Sequence, residues 1–283
     1  MTHPQPDLAA RALAEFWADM GLEEGRVLSA RLLARRGTSA TRSQERAPAP
    51  GNLQTRAASA APTGPRPEPR RLGNNPIADA CRLAAAANTL AELRSAVAGF
   101  NGCELKKASK NTVVCDGAFD APIMIVGEAP GGEEDATGLP FVGRAGKLLD
   151  KMLATVGLSR QENVYITNLI YWRPPGNRDP SPIEMQICAP FLMRQIELKQ
   201  PKLLLTVGKF ATHAMLGRTD GIMKLRGRKL SYAQDGLAAI PTIPTLHPAY
   251  LLRNTAEKAK AWDDLRTIAR LCDEMGIKRG PGL

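Results

Sequence analysis

Apolar positions along the chain fall into short β-branched runs and longer stretches of helical spacing. The runs Ile123 to Val126, Val164 to Asn168, Leu203 to Val207 and Ala238 to Thr245 are nearly continuous in large apolar or β-branched residues, and two of them stop at glycine. They predict buried strands. Between them, apolar residues recur at helical intervals: Leu148, Leu149, Met152 and Leu153 after Gly143, and Ile187, Phe191, Ile196 and Leu198 after Pro182. Further helices are expected from Asn75 to Ala87, from Leu90 to about Phe100, after Gly208 to Leu216, and from a Thr255 cap to Met275. Thr89-Leu90-Ala91-Glu92 and Ser181-Pro182-Ile183-Glu184 have the spacing of capping boxes, the second with proline at the first helical position. Residues 222–236 read as a β-ribbon or loop carrying Lys224, Arg226, Arg228 and Lys229. Strands alternating with helices imply a parallel sheet with right-handed crossovers.

The first third differs. Leu8, Leu13, Phe16, Trp17 and Met20 share one face of a predicted helix, and Val27 to Leu33 predicts a second, so residues 1–34 are expected to be an N-terminal helical segment. Residues 35–75 are rich in Pro, Ala and Arg and are expected to be a disordered basic linker, leaving 76–283 as the folded domain. A DNA-tethering arm and a merely solvated linker fit this composition equally.

Charge narrows the class of partner. Lys and Arg number 38 against 28 Asp and Glu, a net charge of +10, which suits a polyanion such as nucleic acid. Much of that excess lies in the Arg-rich segment before Leu72. No run of about 18 apolar residues exists to span a membrane. The five cysteines are odd in number, widely spaced and without Cys-x-x-Cys, which argues for a reducing cytosol and against a disulfide framework.

The chemistry is expected where the first strand ends. Gly127, Pro130, Gly131 and Gly132 form a turn whose backbone can approach a ligand closely, and Glu128 sits inside it. In open α/β sheets such strand ends hold ligands. No Gly-Lys-Ser/Thr follows, so the turn is not a P-loop.

Gly127-Glu128-Ala129-Pro130-Gly131 and Gly138-Leu139-Pro140-Phe141-Val142-Gly143 together resemble the first signature of the family 4 uracil-DNA glycosylases. The resemblance continues through Ile166-Thr167-Asn168, Arg173-Pro174-Pro175-Gly176-Asn177-Arg178, and His247-Pro248-Ala249-Tyr250-Leu251-Leu252-Arg253-Asn254. The order and spacing of these pieces, over roughly residues 90 to 270, are highly specific. The resemblance implies a three-layer α/β/α fold with a central four-stranded, mostly parallel sheet. It also implies a monomeric, monofunctional enzyme that flips uracil from DNA and hydrolyses its N-glycosidic bond, leaving an abasic site. The alternative is a protein of the same fold that binds uracil or abasic DNA without turnover.

Roles carry over residue by residue. Asn168 would pair with uracil, its amide matching O4 and N3–H; Phe141 would stack on the base, and Ala129 would line its pocket. His247 would stabilise the negative charge developing at uracil O2. Glu128 would orient water and stabilise an oxocarbenium-like sugar, or satisfy backbone donors in its turn, or both. Arg144, Arg173, Pro248, Leu251, Leu252 and Arg253 would contact DNA, the leucines as wedges and Arg253 either in the vacated stack or on phosphate. Arg178, Arg226 and Arg228 are further phosphate candidates. Glu134 and Asp135 are expected to order the loop or sit on a helix dipole.

One departure concerns the [4Fe–4S] cluster usual in the resembled family. The four ligand positions hold Phe100, Cys103, Trp172 and Cys188. A cubane needs four ligands, normally thiolates. The expectation is therefore that the cluster and any other cofactor are absent, with Phe100 and Trp172 filling the space by packing.

Overall fold

The computed structural model describes residues 75–280. The N-terminal helical segment and the basic linker expected before them lie outside the described residues, except Asn75, which caps the first helix by accepting from the Ile77 and Ala78 amides.

Six strands form one mixed sheet: β1 (Cys115–Gly117), β2 (Ile123–Gly127), β3 (Val164–Asn168), β4 (Leu203–Val207), β5 (Leu230–Tyr232) and β6 (Ile240–Thr245), in spatial order β1-β3-β2-β4-β6-β5. The four expected strands are the parallel centre; the sheet extends beyond them by short antiparallel edges, β1 on β3 and β5 on β6. Both edges are three residues long and carry little apolar periodicity, which hides them from pattern reading. The stretch 222–236 divides into a single helical turn, α8 (Ile222–Leu225), and β5.

Alternation along the strands builds the layers. Met124 and Val126 of β2, Tyr165 of β3 and Leu204 of β4 face one core, shared with α1 (Pro76–Ala86), α2 (Leu90–Gly99) and α6 (Pro182–Lys199). Ile123 and Ile125, Val164 and Ile166, and Leu203 and Leu205 face the other, shared with α5 (Arg144–Ala154) and α10 (Lys258–Glu274). The result is the three-layer α/β/α arrangement. Between these elements lie the short helices α3 (Leu105–Ala108), α4 (Gly132–Thr137), α7 (Lys209–Leu216) and α9 (Pro248–Arg253). Among the described residues no helix is long and apolar enough to cross a membrane.

The Ser181 capping box closes both ways: the Glu184 amide donates to Ser181 Oγ and the Ser181 amide to Glu184 Oε2. Arg178 is bound to the same Glu184 carboxylate at 2.6 and 2.9 Å, so this arginine orders the loop before α6. Thr255 does not cap the last helix; it begins a 3-10 turn, and α10 starts at Lys258.

Asp264 ties α10 to Arg226, just after α8, by an ion pair and to the end of β6 by a hydrogen bond. Asp264, 1% exposed, accepts from Arg226 Nε at 3.1 Å and from Thr245 Oγ1 at 2.8 Å. Arg226 was expected to be a phosphate contact. It is committed instead to Asp264 and to the Lys260 carbonyl. Removing one partner of a buried pair strands the other charge, at about 3–5 kcal/mol. Asp264→Ala is therefore expected to lower the unfolding free energy by about that amount, and Asp264→Asn, which keeps an acceptor for Thr245, by less; urea denaturation followed by circular dichroism measures both.

Candidate active site

The sheet order creates the site. From β2 the chain passes through α5 to β3 on one side of it in the sheet; from the adjacent β4 it passes through α7 to β6 on the other side. Connections that diverge in this way from adjacent strands favour a ligand site at the strands' carboxyl ends. The β2–β3 register pairs Gly127 with Asn168, and β4–β6 pairs Val207 with Thr245, two residues before His247. Backbone bonds prolong the first pairing: the Leu169 amide donates to the Gly127 carbonyl and the Ile170 amide to that of Glu128.

Gly127 is the floor where these ends meet. A Cβ at this position would lie 2.4 Å from Asn168 Oδ1 and 2.5 Å from the Phe141 ring, so only glycine admits both side chains. The Phe141 and His247 rings are 5.7 Å apart between centroids and tilted by 32°. Gly208, at the end of β4, has φ +94° and passes under the imidazole, where a Cβ would sit 3.2 Å from that of His247. The carboxamide and the phenyl ring, far apart in sequence, thus meet at one strand-end glycine, the imidazole lies near the phenyl ring, and Glu128 is the next residue along.

Asn168 is 1% exposed, and its Oδ1 has no hydrogen-bond partner. A buried acceptor left so costs about 1–3 kcal/mol. Phe141 stands at φ 54°, in the left-handed region, which for a bulky residue costs of order 1–3 kcal/mol. Two contacts hold it there. Its carbonyl lies so close to Gly146 that a Cβ on that residue would be 1.8 Å from the oxygen, and Arg160 Nη2 donates to the same oxygen at 2.7 Å.

The loop that presents Phe141 is closed by Glu134. Its Oε1 accepts from the Val142 and Gly143 amides at 3.0 and 2.8 Å, and its Oε2 from the Gly131 amide at 3.1 Å. Asp135, 4% exposed, accepts from the Lys110 and Asn111 amides. Both acidic residues order loops, and both lie on the helix α4.

Electrostatics separate the two titratable groups. Burial raises the Glu128 carboxyl from 4.5 to about 7; the Asp179 carboxylate adds to the rise and the Lys209 ammonium opposes it. Burial lowers His247 to about 4, helped by Arg253 and opposed by Glu134. At neutral pH the imidazole is uncharged. Its Nδ1 accepts from the Ala249 amide at 3.2 Å, which caps α9 and leaves the ring proton on Nε2. The group beside Phe141 is thus a neutral N–H donor. Sequence reading missed Gly208, Lys209 and Asp179; only the position of Gly208 after a predicted strand hinted at a role.

The residues expected at DNA divide by exposure. Arg144, Leu252 and Arg253 are exposed, and Leu252 is 36% accessible. Arg173 is half-buried, its guanidinium near Gly132 and its Nε bonded to Asn177 Oδ1 at 2.8 Å. Leu251, 1% exposed, packs in the core and is not available as a wedge; Pro248 is also buried, opening α9. The helical turn puts the two leucines on different faces, which two adjacent letters do not reveal. Leu139, on the Phe141 loop, is a further exposed apolar residue at 37%.

The four cluster-ligand positions come together as a packed apolar group. Phe100 and Trp172 are 4% and 0% exposed with centroids 6.3 Å apart, and Phe100 meets Phe191 edge-on at 5.2 Å. Trp172 Nε1 donates to Thr112 Oγ1 at 3.0 Å. Cys103 and Cys188 are both buried; the neighbouring Cys188 thiol holds the Cys103 thiol below its usual range, while burial pushes Cys188 well up. Cys115 lies on β1 with its thiol against Tyr165. Two thiols and two large rings do not fit a cubane that needs four thiolates. Among the described residues no group of three or more His, Cys, Asp and Glu side chains is arranged to hold a metal ion.

Fold and site define a doubly wound α/β protein that gathers polar and aromatic side chains at the carboxyl ends of its strands. A sequence model of the Uracil DNA glycosylase superfamily matches residues 115–266. The type-4 uracil-DNA glycosylase of Thermotoga maritima is 43% identical over 159 residues, which are 56% of this chain and 80% of that protein. Those of Archaeoglobus fulgidus and Saccharolobus solfataricus are 40% and 41% identical, over 60% and 59% of this chain and 86% and 78% of theirs. The chain belongs to the uracil-DNA glycosylase superfamily, in its type-4 family.

Proposed function

We propose that this protein is a monofunctional uracil-DNA glycosylase, acting as a monomer, that turns deoxyuridine out of DNA and hydrolyses its N-glycosidic bond to leave an abasic site. The observation that carries the reading is the unpartnered, buried Oδ1 of Asn168, which closes on Gly127 as the Phe141 ring does. Uracil N3–H is a donor for that oxygen, and uracil O4 an acceptor for the amide nitrogen. Cytosine presents the opposite pattern, an acceptor at N3 and a donor at N4, and would leave buried groups unpaired. Phe141 supplies the stacking surface. The uncharged His247 donates from Nε2 to O2 as negative charge develops on the departing base. Glu128, as carboxylate, orients water towards the sugar and offsets its positive charge. A carboxyl raised by burial to about 7 and a neutral imidazole donor, both at the carboxyl end of the parallel strands, favour turnover over binding alone.

Arg144, Arg173 and Arg253 contact phosphate, Ala129 lines the base pocket, and Leu252 enters the stack. The cluster is absent in this reading, and Phe100 and Trp172 hold the Arg173–Arg178 loop by packing. No metal ion or diffusible cofactor takes part.

Excision from uracil-, hypoxanthine- and thymine-containing oligonucleotides tests the assignment. Wild type is expected to prefer uracil strongly, and Asn168→Asp to shift or abolish the preference; equal cleavage by the two proteins would remove Asn168 as the reader. The active form of Glu128 is the carboxylate, so kcat/KM is expected to rise with pH through about 7 in wild type. His247 adds no limb above about 4, and Glu128→Gln is expected to give a slow, pH-independent rate over the same range. Freshly purified protein is expected to be colourless and free of stoichiometric iron by metal analysis; a brown protein holding four irons per chain would refute the packing account.

A further inference from the structure

We infer that Arg160 is a positioning residue for base recognition, acting through the main chain of Phe141; this rests on the reading of Phe141 as the stacking surface. Arg160 lies in the turn between α5 and β3, outside every motif that marks the family resemblance. Its side chain is only 10% exposed and runs beneath the loop that presents the ring. Nη2 donates to the Phe141 carbonyl at 2.7 Å, and Nη1 to the Pro140 carbonyl at 3.1 Å. The remaining donors bind two carboxylates: Nε and Nη2 reach Asp150 Oδ1 at 2.9 and 2.8 Å, and Nη1 reaches Asp116 Oδ2 at 2.7 Å.

Each bond has a consequence for the ring. Asp116 belongs to β1 and Asp150 to α5, so the guanidinium is fixed by two different elements before it touches the loop. The Arg160 carbonyl is itself held, accepting from the Ala118 amide at 2.9 Å. A planar fork with five N–H donors satisfies two carbonyls and two carboxylates at once; a lysine ammonium, with three donors on a single point, does not. The Phe141 carbonyl is trapped between this fork and Gly146, and the trap maintains the φ of 54° that turns the phenyl ring over Gly127 and towards His247. Without the fork, Phe141 is free to relax out of the left-handed region, and the ring leaves the plane of the base.

A mutant cycle tests this. Wild type, Phe141→Ala, Arg160→Gln and the double variant are compared for single-turnover excision of uracil, inhibition by free uracil, and affinity for a duplex containing an abasic site. Stacking of one base corresponds to a loss of about five- to hundredfold. Phe141→Ala is expected to show such a loss in both excision and uracil inhibition. Arg160→Gln is expected to lose about tenfold in the same two measurements, with no further loss in the Phe141→Ala background and with abasic-duplex affinity unchanged. Should Arg160→Gln fail to fold, Arg160→Lys, which keeps the charge between the two carboxylates, enters the same cycle with a smaller loss expected. If Phe141→Ala changes neither excision nor uracil inhibition, the stacking assignment itself fails. If Phe141→Ala behaves as expected but the arginine variant leaves excision intact, loses equally in both backgrounds, or weakens abasic-duplex binding as much as excision, the positioning role alone is overturned.

Discussion

The registration of β2 against β3 is the constraint on which the molecule depends. It sets Gly127 level with Asn168, and everything at the site is measured from that pair. A slip of one residue would turn Asn168 to the opposite face of the sheet. The register is secured far from any chemistry, by buried side chains that alternate between two helical layers and by main-chain bonds that continue past the strands. Because Gly127 has no side chain, the carboxamide from the end of β3 and the phenyl ring from the loop before α5 approach one backbone.

Around this point the protein tolerates arrangements that would be costly elsewhere. A carboxamide oxygen is buried without a partner, a phenylalanine occupies the left-handed region, a carboxyl is held near neutral protonation, and an imidazole is kept uncharged. Such features persist only where the surroundings over-determine them. Here Glu134 joins two loops through three amides, Arg160 binds two carbonyls and two carboxylates, and Asp264 anchors the end of β6 two residues before the histidine. The charged residues that matter most to this geometry thus bind backbone and one another.

The aromatic group at Phe100, Trp172 and Phe191 ties distant parts of the fold together by packing. Phe100 follows α2, Trp172 precedes the Arg-Pro-Pro loop, and Phe191 lies on α6, so their contacts bridge three segments distant in sequence. Ring pairs of this kind contribute roughly 0.5–1.5 kcal/mol each beyond the area they bury. These contacts require no particular protonation state.

By itself the sequence determined the four central strands, their alternation with helices, the Ser181 cap, and the positions of Glu128, Asn168 and His247 at or just after strand ends. Periodicity and capping are local, and motif spacing preserves the order of functional groups along the chain. The edge strands β1 and β5 were not legible, because three residues carry too little pattern. Arg226 and Leu251 were assigned to DNA because charge and apolarity do not state direction; packing turned the first onto Asp264 and the second into the core. Arg160 carried no signal, since its partners lie 10, 19, 20 and 44 residues away. Only tertiary structure decided which carboxyl rises and which imidazole stays neutral, because both follow from burial and from charges brought near by the fold.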